Sequence, residues 1–180
     1  LAGLTGLALT AVERAQGQEV ISPTNESGRT VISSEPWTPS APQPKVIYGN
    51  DDRMDVFQET DAERRDLAAA TCGLIDNRLI TDNGDGTYDL VTSEYRVGSK
   101  LACPGEPFGN QPTAMFCSGF WVGRDLIATA GHCIDNSNVQ DTTFVFNFEM
   151  TGASSPRTTV SEPYVYEGVE VVARQLDNQG

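Results

Sequence analysis

The texture of the chain changes along its length. Residues 1–12 form a run of apolar and small residues, closed by Glu13 and Arg14. Residues 18–45 are polar and hold five of the ten prolines (Pro23, Pro36, Pro39, Pro42, Pro44). Such a stretch buries little apolar surface and resists regular backbone hydrogen bonding. From Val46 onward short apolar runs alternate with turn residues. Val46-Ile47-Tyr48 is β-prone and is turned by Gly49-Asn50-Asp51-Asp52. Thr60-Asp61-Ala62-Glu63 has capping-box spacing and opens a short helix through residues 66–70. Residues 72–80 and 87–92 read as the two arms of a hairpin across Asp82-Asn83-Gly84-Asp85-Gly86. A Pro/Gly loop follows at 103–112, then strands at 114–122, 126–129, 142–150 and 164–173. Many short strands, one short helix and no long amphipathic helix predict an all-β domain over 46–180, an antiparallel barrel or sandwich, behind a disordered N-terminal segment.

Charge narrows the classes of partner. The 180 residues carry 12 Lys+Arg against 25 Asp+Glu, a formal net charge of -13. Duplex nucleic-acid binders draw most of their affinity from cations on phosphates, so nucleic acid is not expected as a partner. An anionic membrane surface is disfavoured for the same reason. No apolar run approaches the ~20 residues that span a bilayer.

The cysteines point to an oxidising compartment. Cys72, Cys103, Cys117 and Cys133 contain no C-x-x-C pair, which argues against redox chemistry and a structural zinc site. An even count with wide gaps reads as two disulfides, and spacing alone leaves all three pairings open. The acidic turn at 82–86 is no EF-hand, because its alignment puts Thr81 at the first ligand position and Thr92 at the last. No metal or cofactor is expected. Residues 1–17, ending in Ala15-Gln16-Gly17, read as the remnant of a secretory signal peptide, and glycines at 3 and 6 count against a buried helix there. Residues 18–45 then read as a pro-segment or linker, with a sequon at Asn25-Glu26-Ser27 compatible with surface exposure. Both ends of the sequence read as abrupt, and the expected location is secreted or extracytoplasmic.

His132 is the one histidine of the chain. Two apolar strands joined by Gly123-Arg124-Asp125 should pair as a hairpin, and Ala130-Gly131 are small enough to let the backbone bend and another element approach. His132 then lies just past a strand end, where a side chain can face a cleft. A bond between Cys117 and Cys133 would tie its loop to the hairpin, and a general base needs such fixing.

Thr129-Ala130-Gly131-His132-Cys133 resembles the histidine signature of trypsin-like, chymotrypsin-fold serine proteases. Cys117-Ser118-Gly119-Phe120 and the strand Leu126-Ile127-Ala128 match as well, and the surrounding chain is most similar to the bacterial secreted branch of V8-like glutamyl endopeptidases. The clear likeness covers 114–134 and is diffuse over the rest of 46–180. It implies that 46–180 is the first β-barrel of a two-barrel fold, incomplete here. It implies a Cys117–Cys133 disulfide, which leaves Cys72–Cys103 as the second pair. It implies that His132 takes the proton of a serine nucleophile and returns it to the leaving amine, acting on a protein or peptide substrate. It also makes Lys45–Val46 a possible activation bond, with an ordinary linker-to-domain junction as the plain alternative.

The departures are as informative. No Gly-Asp-Ser-Gly-Gly-like motif is present, and Ser118 falls within a core strand. Asp135 and Asp141 follow the histidine too closely, and Asp177 does not open an apolar run. The expectation is therefore a serine endopeptidase with its aspartate and serine beyond Gly180, inactive as this fragment. The competing reading is a non-catalytic, protease-like binding module, which the absence of that motif downstream would favour.

Overall fold

The computed structural model describes residues 6–14, 51–97 and 99–176. The Pro-rich segment, the Lys45–Val46 junction, the Val46–Tyr48 strand and Asp177 lie outside the described residues. Among the described residues thirteen strands run in chain order: β1 Gly6–Arg14, β2 Thr71–Asp76, β3 Ile80–Asp82, β4 Thr87–Leu90, β5 Ser93–Glu94, β6 Arg96–Val97, β7 Lys100–Leu101, β8 Pro112–Thr113, β9 Cys117–Gly123, β10 Leu126–Ala130, β11 Thr142–Phe146, β12 Thr159–Ser161 and β13 Val165–Leu176. The α-helix α1 spans Ala62–Ala69.

Six strands close an antiparallel barrel in the order β1-β10-β9-β2-β11-β13. A small sheet, β12-β4-β3, packs outside it, and β5–β8 and β6–β7 form two-stranded ladders. Closure leaves no free edge among the six strands.

Alternation explains what each strand buries. On β9, Cys117, Gly119 and Trp121 turn inward while Phe120 and Val122 point outward and are exposed. All five residues of β11 are buried, because both of its faces are covered. Phe144 and Phe146 enter the barrel core with Leu74, Ile127 and Tyr166. Val145 faces the small sheet with Ile75, Tyr88, Leu90, Val160 and Val165. Trp121, Phe146 and Tyr166 meet inside the barrel with ring centroids 5.1 to 5.6 Å apart in tilted and edge-on pairs, the arrangement aromatic quadrupoles favour. Gly119 allows the closest approach near the histidine strand: a Cβ there would stand 2.8 Å from the Ile127 side chain and 3.1 Å from the Ala128 carbonyl.

Four expectations need correction. Residues 6–14 do not belong to a disordered segment: β1 fills the slot between β10 and β13, and Ala8, Thr10 and Val12 are buried. Its inward residues recur at every second position, a strand period that the even run of apolar residues conceals. The second disulfide is absent: Cys72 and Cys103 are free thiols. Cys72 is held inside the barrel on β2, whereas Cys103 is exposed on a surface loop. The strand expected at 72–80 is also broken. At its centre the Asp76 side chain accepts from the Arg78 backbone N–H (2.9 Å) and caps a 3-10 turn over Asn77–Leu79. The helix start is shifted by one residue, with Asp61 capping Glu63 and Arg64.

Candidate active site around His132

The histidine corner is built by the β9–β10 hairpin and the turn after it. Asp125 takes the left-handed conformation (φ 59°) in the hairpin turn, a position aspartate tolerates better than most side chains. Along β10, Ile127 and Ala128 anchor the strand in the core. The buried Thr129 hydroxyl donates to the Ser118 carbonyl at 2.7 Å, which locks the end of β10 to β9.

Past Ala130 the chain turns. The Cys133 N–H donates to the Ala130 carbonyl (2.9 Å). The Cys117–Cys133 disulfide, with α-carbons 6.1 Å apart, ties the turn back to β9. Cys133 and Ile134 are buried while His132, beside them, is exposed. The turn is thus pinned from inside and its histidine is pushed outward. Residues 126–134 therefore position the ring without burying it.

Two further side chains hold the corner. Arg174, on β13, donates through Nε to the Gly131 carbonyl at 2.7 Å. Asn138 donates to the Cys133 carbonyl (3.0 Å) and accepts from the Asp135 N–H (2.8 Å). Sequence reasoning identified neither. Arg174 lies 43 residues from its partner with no local motif, although an Asp-x-x-Asn spacing at Asp135 is a visible turn signal.

Asp135 is not poised to orient the imidazole. Its carboxylate accepts from the Ser137 hydroxyl and the Ser137 N–H (2.8 Å). These bonds, the hydroxyl first, hold its pKa below the ordinary aspartate value, with the nearby Arg174 charge adding to the effect. Among the described residues no hydrogen bond reaches the His132 ring from a carboxylate or a serine hydroxyl. Ser118, expected within a core strand, is instead exposed on the outer face of β9. A cavity of about 510 Å³ opens beside the corner, between Asp135-Asn136 and the Val171–Arg174 stretch of β13. Another cavity, about 540 Å³, lies between Arg53–Asp55 and the 106–113 loop, and His132 does not line it.

The sulfur atoms of Cys117 and Cys133 and a ring nitrogen of His132 lie within 4.8 Å of one another. In the disulfide both sulfurs are consumed, so the oxidised corner offers a cation the imidazole alone.

A closed barrel that ends one strand in Thr-Ala-Gly-His-Cys, disulfide-linked to the neighbouring strand, is a family-level feature. The sequence model of the trypsin family matches residues 70–175, more than half of the chain. The chain belongs to the trypsin family. The match begins just before β2 and runs to the end of β13, so it takes in the whole barrel except β1. No curated protein and no solved structure matches the chain significantly. Trypsin-family membership carries the serine protease fold and the hydrolase class, and members of the family act on protein or peptide substrates.

Proposed function

We propose that the chain supplies the histidine-bearing barrel of a secreted serine endopeptidase, with His132 as its general base. The observation that carries this reading is the corner itself. A lone histidine sits exposed at a strand end, its backbone fixed by a disulfide, a buried threonine and an arginine, on a trypsin-family barrel. An imidazole held this way can take a proton from a serine hydroxyl and pass it to a leaving amine. The serine and the orienting aspartate are proposed to lie outside these 180 residues, since no nucleophile motif is present. The V8-like branch and activation at Lys45–Val46 are part of the same proposal and rest on the sequence likeness alone.

The test is hydrolysis of a chromogenic ester and of a peptide by the gene product that contains the nucleophile motif. His132→Ala should lower kcat by several orders of magnitude, because triad members act as a unit. The thermal midpoint should hold, since an exposed ring contributes little packing. Equal turnover in both variants would remove His132 from the chemistry. A gene product lacking any Gly-Asp-Ser-Gly-like motif would instead establish the non-catalytic binding module.

A further inference from the structure

We propose that breaking the Cys117–Cys133 disulfide converts the histidine corner into a binding site for a thiophilic divalent cation of the zinc class, with Cys117, His132 and Cys133 as its ligands. The three donor atoms already lie within 4.8 Å of one another. Around a tetrahedral zinc, with Zn–S about 2.3 Å and Zn–N about 2.0 Å, ligand atoms stand roughly 3.3–3.8 Å apart. Once the bond is broken, side-chain rotation must separate the two sulfurs to that spacing, and the α-carbon separation of 6.1 Å leaves room for an ion between the cysteines.

The backbone of the corner does not depend on the disulfide alone. Thr129 to Ser118, Arg174 to Gly131, Asn138 to Cys133 and the Cys133 N–H to Ala130 all hold it independently. Reduction therefore frees two thiols without freeing the chain that carries them. Two thiolates and an imidazole form a borderline-soft donor set, which selects zinc over calcium or magnesium. Access exists from two sides: His132 is exposed, and Cys117 lines an open cavity of about 530 Å³. Three protein ligands leave the fourth position to water.

The redox step balances with a thiol reductant. A dithiol gives two electrons and two protons to the disulfide, becomes a disulfide itself, and leaves two cysteine thiols. The cation then displaces the two thiol protons and takes the imidazole lone pair. A coordinated imidazole cannot accept a proton, so the loaded site would silence His132 as a base. That consequence rests on the reading of the previous subsection; the cation site does not.

The experiment uses the full chain with Cys103→Ser, which removes the exposed thiol. The protein is reduced with a dithiol, desalted without oxygen and titrated with zinc against a chromophoric chelator, with cobalt as a spectroscopic stand-in. The expected result is one zinc per reduced chain, none per oxidised chain, and a thiolate-to-cobalt charge-transfer band. Zinc should also protect the single histidine from carbethoxylation. Cys117→Ser and His132→Ala should each lose the binding, and Cys72→Ser should keep it. Equal binding by the oxidised chain, binding that survives His132→Ala, or binding that needs Cys72 would each overturn the proposal. So would loss of the β-sheet circular dichroism on reduction before metal is added. None of these readouts uses turnover, so failure of the cation site and failure of the protease reading are separable.

Discussion

At the scale of single residues, burial separates side chains of the same type. Cys72 and Cys103 are both free, yet burial pushes the Cys72 thiol up to about 12 while Cys103 is exposed. The thiolate is the reactive form. At pH 8 a maleimide should therefore label Cys103 and spare Cys72 until the chain unfolds, which peptide mass mapping reads directly. Native-state labelling of both at similar rates would contradict the burial of β2. Asp76 gives a pH-dependent case. Arg78 donates through Nε at 2.8 Å and through its backbone N–H, which holds the carboxyl at about 2 against an ordinary 3.8. A folded-state pKa that is depressed stabilises above the unfolded value and loses that contribution as pH falls through the folded one. The Asp76 share should be fully present above pH 3.8 and fade toward about 2. Carboxyl chemical shifts should show that midpoint, and Arg78→Ala should move it up toward the ordinary value.

At the scale of elements, β1 is the strand whose fit is least complete. It pairs with β10 from Leu7↔Ala130 to Ala11↔Leu126 and with β13 through two register shifts. Its Thr10 hydroxyl is fully buried and has no hydrogen-bond partner among the described residues. An unsatisfied buried polar group costs about 1–3 kcal/mol. Thr10→Val, nearly the same shape without the hydroxyl, should raise stability by about 1–3 kcal/mol in denaturant unfolding. A loss of stability would show that β1 does not hold this place in solution. β11 is the contrasting element, packed on both faces. Phe144→Ala there should cost about 3–5 kcal/mol, the ordinary range for a large core ring, in the same measurement.

For the whole molecule, the closed barrel and the disulfide are separate sources of order. The Cys117–Cys133 bridge links β9 to the turn after β10, and the two strands are already joined through β9–β10 pairing. Replacing both cysteines by serine should lower stability by about 2–5 kcal/mol. The sheet signature in far-ultraviolet circular dichroism should persist, because six strands still close on one another. Collapse of that signature would mean that the bridge, and not barrel closure, maintains the fold. The net charge of -13 belongs to this scale as well. It favours solubility and fixes neither the fold nor the choice of substrate.

By itself the sequence determined the β class, the hairpin at 82–86, the hairpin ending at His132 and the family of that histidine. Each is written in residues close together: alternation and turn residues for the hairpins, five contiguous residues with one spaced cysteine for the corner. Tertiary structure decided what depends on distant partners. Cys72 and Cys103 look like a pair by elimination, but one was drawn into the barrel and the other left on a loop. Arg174 reaches Gly131 across 43 residues, a contact no local pattern encodes. Residues 6–14 carry few cues of their own. The slot between β10 and β13 makes them a strand, because two open edges with unpaired amides and carbonyls outweigh the weak preference of the segment.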